Sequence, residues 1–180
     1  WDRSVKQHRR NRGRIDHMAN TRKDANHLRD FERSLPMELL KARESAMARF
    51  RPMLRDHGLT EQQWRVIRAL AALDQINASE LARRSFLLAP SLTRILQYLE
   101  AEKLVKRSSD ANDQRRAVFS LTAKGKKLFA RVAPDSETLY IKIEQEFGAD
   151  KLGLLYELLA EFYQTIAAEE ETNISSAAAR

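Results

Sequence analysis

The chain has 180 residues, carries a net charge of +7 and contains no cysteine. Its length is sufficient for one domain with its own core, and the lack of cysteine excludes a disulfide framework, a thiolate zinc site and a cysteine nucleophile. No apolar run approaches the roughly 20 residues that a membrane span needs. The N-terminal segment also lacks the apolar region of a signal peptide, so we expect a cytoplasmic protein without a membrane partner.

Positive and negative charges are segregated along the chain. Residues 81–131 hold 12 Lys and Arg against 4 Asp and Glu, a net charge of +8, whereas residues 132–180 have a net charge of −7. A uniformly solvated surface does not predict such segregation, but a polyanion that faces the middle segment does. The composition therefore favours a nucleic-acid partner for residues 81–131.

Residues 1–35 form a polar, basic extension with too few large apolar side chains to build a core. They are either a disordered arm or a helical continuation of the next segment. Met18 is a candidate for the natural first residue, in which case the part of the extension before it is not native.

Two amphipathic helices are predicted next. Apolar residues at helical spacing indicate a helix over about 36–56, which ends at Gly58. Thr60 and Gln63 form a capping-box pattern, which predicts the start of a second helix that continues to about residue 72.

A helix-turn-helix with a wing follows. Asn77 is predicted to cap the short helix ASELARRS, and Pro90 opens the helix PSLTRILQYLEAEK after the link FLLA. The segments VKRS and AVFSL then read as two strands around the polar tip SDANDQRR. This order of elements is that of a DNA-reading module, whose second helix enters the major groove by its N-terminal end.

Two further helices complete the chain. Thr122 is predicted to cap a long helix, and a last helix covers about 149–168. Its apolar residues recur at spacings of 3, 4, 3 and 4, which indicates a coiled-coil-like seam and favours a dimer interface over an ordinary core. The residues of this seam are Leu152, Leu155, Leu159, Phe162 and Ile166.

The predicted contacts with DNA lie in the second helix of the module and in the wing. On the helix, hydroxyl, guanidinium and amide side chains can reach base edges and phosphates. These side chains belong to Ser91, Thr93, Arg94 and Gln97. Ser91 and Thr93 are also ordinary residues for the start of a helix. In the wing, Arg115 is expected to enter a minor groove, held by Asp113 two residues earlier. Three more cations are expected along the phosphates, namely Lys106, Arg107 and Arg116.

In order and spacing, the segments LTEQQWRVIRAL, SELARRS and PSLTRILQYLE resemble the MarR family of winged-helix regulators over about residues 37–168. The chain also matches the wing signature of that family, D-Q-R-x5-L-T-x-x-G, at Asp113, Arg115, Leu121, Thr122 and Gly125. More narrowly it is similar to the HpaR-type branch, whose members repress operons for homoprotocatechuate (4-hydroxyphenylacetate) breakdown. Lys103 stands where many relatives carry Gly.

The resemblance implies a homodimer that represses transcription from a palindromic operator on double-stranded DNA. It also implies an effector, a small aromatic acid or its CoA thioester, between the dimerisation helices and the winged domain. Arg51 is then a candidate for the carboxylate and Trp64 for the ring, while an ion-pair role for Arg51 and a core role for Trp64 are the alternatives. A ligand-independent architectural DNA-binding protein and a MarR-type regulator of hydroxycinnamate or stress-response genes are the alternative functions.

The expected fold is mainly α, a winged helix-turn-helix with a two-stranded β-wing and with N- and C-terminal helices that form a dimerisation region. Residues 36–168 are expected to be a single domain, divided into 36–57 and 123–168 for dimerisation and 58–122 for the winged module, with 169–180 as a tail. The histidines form no HExxH pair, and the chain has neither a glycine-rich phosphate loop nor a GxSxG elbow. We therefore expect no enzyme, no cofactor and no metal.

Overall fold

A computed structural model describes residues 31–109 and 116–178. The described residues divide inside the first helix, between Ser45 and Ala46, into two compact units. The observed elements, in chain order, are α1 (Leu35–Asp56), α2 (Glu61–Ala72), β1 (Ile76–Asn77), α3 (Ala78–Ser85), α4 (Ala89–Ala101), β2 (Val105–Ser109), β3 (Ala117–Leu121), α5 (Ala123–Phe147) and α6 (Ala149–Ala178). The expected mainly helical fold with a winged helix-turn-helix is confirmed.

The first unit contributes one 3-10 turn, Phe31–Arg33, and the first half of α1. The Ser34 hydroxyl donates to the Phe31 carbonyl at 3.0 Å, which closes this turn. Residues 1–30, the greater part of the basic extension, lie outside the described residues.

Local hydrogen bonds set the ends of α1 and the start of α2. Gly58 has φ +70°, and its N–H donates to Arg55 O at 2.9 Å, so a left-handed glycine ends α1 as expected. The capping box at the start of α2 is complete, because Gln63 N–H donates to Thr60 Oγ1 at 3.2 Å and Thr60 N–H donates to Gln63 Oε1 at 2.8 Å.

The helix-turn-helix consists of α3 and α4. Asn77 Oδ1 accepts from Glu80 N at 2.9 Å and caps α3 as predicted. Phe86 ends α3 in the left-handed region with φ 49°. Helix α4 begins at Ala89, one residue before the predicted Pro90, which lies in its first turn.

The sheet has three antiparallel strands in the order β1-β3-β2, one more than the predicted wing. Strand β2 pairs with β3 from Val105 opposite Leu121 to Ser109 opposite Ala117. The additional strand β1 has only two residues, with Ile76 opposite Phe119. Two residues carry no detectable alternation, so the sequence pattern did not reveal β1.

The wing is joined to the start of α5 by short polar contacts. Thr122 Oγ1 donates to Lys103 O at 2.6 Å, and Thr122 N–H donates to Leu104 O at 3.0 Å. Thr122 Oγ1 also accepts from Gly125 N at 3.1 Å, which confirms the predicted cap. A Cβ on Gly125 would lie 2.1 Å from Leu104 O, so only glycine fits at this joint.

Among the described residues, one hydrophobic core lies inside the winged module and extends to α1 and α5. Its fully buried side chains include Leu54 of α1, Ile67 of α2, Leu92 and Leu99 of α4, and Val132 of α5. Arg49 of α1 also makes a forked ion pair with Glu146 of α5, with N–O distances of 2.7 and 2.5 Å. These hydrogen bonds and the charge of Arg49 lower the pKa of Glu146.

Helix α6 is longer than predicted and is barely covered by the rest of the chain. It continues past the expected end near residue 168 to Ala178, because the segment between contains neither glycine nor proline. Most of the predicted seam is exposed, at 38–43% for Leu155, Leu159, Phe162 and Ile166. In the part of the chain that the structure describes, no helix has both the length and the apolar character that a membrane crossing requires.

Candidate nucleic-acid interface and adjoining cleft

Helix α4 presents a polar face to solvent. Thr93, Arg94 and Gln97 are exposed and Ser91 is half-buried. The opposite face of α4 packs into the core through the buried side chains Leu92, Ile95, Leu96 and Leu99. The amphipathic pattern thus fixes the predicted polar face outward.

The polar groups of this face differ in what they can offer to a base edge. The Thr93 hydroxyl donates to Ala89 O at 2.9 Å, so its hydrogen is already used and its oxygen is left as an acceptor. Arg94 and Gln97 are therefore the exposed side chains with N–H donors on the outward face of α4.

The wing carries exposed cations on an edge strand. Lys106 and Arg107 lie on β2, whose residues from Lys106 to Ser109 are all exposed, and Arg116 is exposed just before β3. Asp113 and Arg115 lie outside the described residues, so their proposed contact stays a prediction.

Helix α3 ends in a cluster of three charges. Glu80 accepts from Arg83 at 2.6 and 2.8 Å and from Arg84 at 2.6 Å. Hydrogen bonds from Arg83 and then Arg84 lower the pKa of Glu80 to about 2. This carboxylate consequently stays ionised throughout the neutral and mildly acidic range and orients both arginines.

A cleft of about 360 Å³ adjoins the helix-turn-helix, between α1, α2, α3 and α5. Trp64, 6% exposed, stacks on Phe129 with ring centroids 5.7 Å apart. Arg68 Nη1 donates to the Tyr140 hydroxyl at 2.9 Å, and Phe50 packs on the Tyr140 ring at 4.9 Å. The lining residues are Met47, Phe50, Glu61, Trp64, Arg65, Arg68, Ala69, Arg84 and Tyr140.

The two residues that the sequence suggested for an effector are placed differently. Trp64 lines the cleft, whereas Arg51 forms an ion pair with Glu61 and is not among its lining residues. The ligand roles of both remain predictions. Arg68 was missed, although it lies four residues after Trp64 and so on the same helix face.

Arg65 connects the cleft to the helix-turn-helix. Its side chain lines the cleft, and its Nη1 donates to Ser85 O, the last residue of α3, at 2.9 Å. The Arg65 side chain therefore joins the cleft to the end of α3, just before the turn that leads into α4.

The described residues contain no group of three or more His, Cys, Asp or Glu that could hold a metal ion. His57 is paired instead with Asp135 of α5, with Nε2 and Oδ2 2.7 Å apart.

Comparisons with known proteins place this geometry in a family. A model described as MarR family matches residues 57–116. The homoprotocatechuate degradative operon repressor of Escherichia coli is 46% identical over 129 residues, 72% of this chain and 87% of that protein. Among solved structures, NadR in complex with 4-hydroxyphenylacetate superposes with a TM-score of 0.69 at 38% identity, over 75% of this chain and 98% of that one.

The repressor CouR, bound to a 23-mer DNA duplex, superposes with a TM-score of 0.67 at 26% identity, over 76% of this chain and 98% of that one. The family model and the two relatives of 46% and 38% identity agree with the observed winged helix-turn-helix. This chain therefore belongs to the MarR family of transcriptional regulators.

Proposed function

We propose that this protein represses an operon for the breakdown of an aromatic compound and that a small aromatic acid releases it from DNA. The observation that carries the proposal is the cleft beside the helix-turn-helix, where aromatic walls and arginines meet. The name of the relative from Escherichia coli and the ligand of NadR support the same class of effector.

The proposed DNA contacts are made by a homodimer on a palindromic operator. Helix α6 supports the dimer, because its apolar side chains are exposed in the single chain and a second copy would cover them. Such a dimer reads two major grooves when its α4 helices lie about 34 Å apart. Arg94 and Gln97 would then contact bases, and the wing cations would contact the flanking backbone.

The proposed effector places its ring against Trp64 and Tyr140 and its carboxylate toward Arg65 and Arg68. Three arginines and one glutamate line the cleft, a net charge of +2, which favours an anion. The cleft volume of about 360 Å³ falls within the range of roughly 300–1,000 Å³ for small-ligand sites.

Arg65 is the proposed link from effector to DNA. A carboxylate in the cleft competes with Ser85 O for the guanidinium of Arg65, which holds the end of α3. Loss of that hydrogen bond loosens the turn before α4 and shifts the population of dimers away from the DNA-binding spacing.

Calorimetry of 4-hydroxyphenylacetate, with its CoA thioester as a second probe, tests the proposal on free protein and on protein saturated with operator duplex. Ligand and DNA must weaken each other by the same factor. A factor of about 10² would empty an operator held with a modest margin. Arg68→Ala should weaken ligand binding by about 10- to 100-fold through loss of a charge-assisted hydrogen bond and should leave DNA affinity unchanged. Arg55→Ala removes the same charge from an exposed position on α1, and this control should change neither affinity.

Equal affinity for free and DNA-bound protein would contradict effector release, however tightly the ligand binds. A ligand-independent DNA-binding protein would then be the better account. Stronger release from DNA by hydroxycinnamates than by phenylacetates would agree with the proposed mechanism and would assign the protein to a different operon.

A further inference from the structure

We propose that a second cleft, on the opposite side of α5 from the first, binds a small organic anion. The cleft has a volume of about 310 Å³ and lies where the end of α1, the end of α4 and the first turns of α5 meet. Tyr140 lines the first cleft and Lys124 lines the second. Their separation of 16 residues corresponds to a rotation of about 160° around α5, which places the two side chains on opposite sides of the helix.

Cations on one face of α5 give this cleft its charge. Lys124, Lys127 and Arg131 recur at spacings of three and four residues and so lie on the same side of the helix. Lys124 is engaged by the end of α4, since its Nζ donates to Glu102 O at 2.7 Å and lies 3.8 Å from Glu102 Oε2. Lys127 and Arg131 make no ion pair with any other described residue, which leaves two positive charges directed at the cleft.

The remaining walls are apolar or aromatic. Leu59 and Leu104 form a buried floor, and Tyr98 of α4 exposes 44% of its surface at the rim. A bare anion would gain nothing from these walls, whereas an anion with an aromatic ring could cover Tyr98 and the leucines. The chemistry of the cleft therefore fits a small aromatic carboxylate better than inorganic phosphate.

The acid and imidazole beside the cleft do not oppose this charge pattern. His57 lines the cleft, but its Nε2 is 2.7 Å from Asp135 Oδ2, so Asp135 is directed at His57. Glu102 is held by Lys124 in the same way. Since Tyr98 lies in the last turn of α4 and Glu102 is the C-cap residue of that helix, an occupant would contact α4 directly.

The chain offers a site-resolved test, because its four tyrosines include Tyr98 in the second cleft and Tyr140 in the first. The full-length protein is labelled with ¹³C on its tyrosine rings and titrated with benzoate and, separately, with inorganic phosphate at equal ionic strength. Resonances are assigned with Tyr98→Phe and Tyr140→Phe. Benzoate should shift the Tyr98 resonance in a saturable way, and phosphate should do so more weakly.

The double variant Lys127→Gln/Arg131→Gln should weaken the benzoate response of Tyr98 by about tenfold, through loss of two charge-assisted contacts. Lys126→Gln/Lys142→Gln removes the same charge from exposed positions of α5 that do not line the cleft, and should leave the response unchanged. The Tyr140 resonance reports folding and the first cleft independently, so failure of the proposed effector site is distinguishable.

Three outcomes would overturn the second site. One is a Tyr98 resonance that does not move while Tyr140 does. Another is a Tyr98 response equal in the two double variants, which would make the cations irrelevant. The third is an equal response to phosphate and benzoate, which would remove the organic part of the ligand from the proposal.

Discussion

Lys103 carries the chain out of α4 into the wing with φ 58°. A side chain in this left-handed region is disfavoured because Cβ approaches the following carbonyl oxygen, at a cost of roughly 1–2 kcal/mol. A glycine at this turn would remove the conflict, because it has no Cβ.

Lys103→Gly should raise the free energy of unfolding by about 1 kcal/mol, since the relief of backbone strain exceeds the added entropy of the unfolded chain. Urea denaturation at constant pH measures the change. Lys103→Ala removes the same charge but keeps Cβ, so it should give no gain. An equal gain for both variants would place the effect in the lysine side chain rather than in the backbone.

Residue-scale prediction succeeded where the relevant partner is close in sequence. Thr60, Asn77 and Thr122 were recognised as caps because each bonds to the amide three residues later. Tyr140 could not be recognised in this way. It reaches Arg68 from another helix, and helical spacing identifies only neighbours on the same helix.

At the scale of elements, the wing strands are the part of the candidate DNA interface that the sequence pattern predicted most accurately. Both strands were predicted with little error, and their edge strand β2 carries the exposed pair Lys106 and Arg107. The third strand, β1, was missed because pairing with β3 defines it and its own two residues do not.

Arg115→Ala should weaken operator binding by roughly 1–3 kcal/mol, the usual value of one specific arginine contact. Because a residue at the predicted hairpin tip is expected to have little packing to lose, the thermal midpoint should not change. Gel-shift titrations at one fixed salt concentration measure the affinity. Arg55→Ala on α1 is the control with the same loss of charge, and equal affinities for the two variants and the parent protein would remove the wing arginine from the mechanism.

At the scale of the whole molecule, α6 is the helix whose apolar side chains are least covered by the rest of the described chain. Its apolar side chains point in several directions, and Leu154, Tyr156, Leu158 and Tyr163 are exposed together with the predicted seam. The sequence indicated the seam by its period, but the period alone could not reveal that the face around it is also uncovered.

Leu159→Asp should convert the proposed dimer to monomers, because an unpaired charge in the interface costs roughly 3–5 kcal/mol. Multi-angle light scattering gives the mass, and circular dichroism shows whether the monomer is folded. Gln164→Asp adds the same charge to an exposed polar position of α6 and should leave the dimer intact. A folded Leu159→Asp dimer would place the interface elsewhere.

Hydrogen bonds from Thr122 to the carbonyls of Lys103 and Leu104 connect the start of α5 to the segment between α4 and the wing. Gly125 packs against Leu104 O at the same place, so we expect the start of α5, the end of α4 and the base of the wing to move together. We expect a rotation of α5 to move the wing and α4 together rather than to tilt one against the other. In the proposed dimer, base preference would depend on the outward face of α4, whereas half-site distance would depend on the helices that hold the two winged modules apart. A substitution in one place could then alter one property without the other.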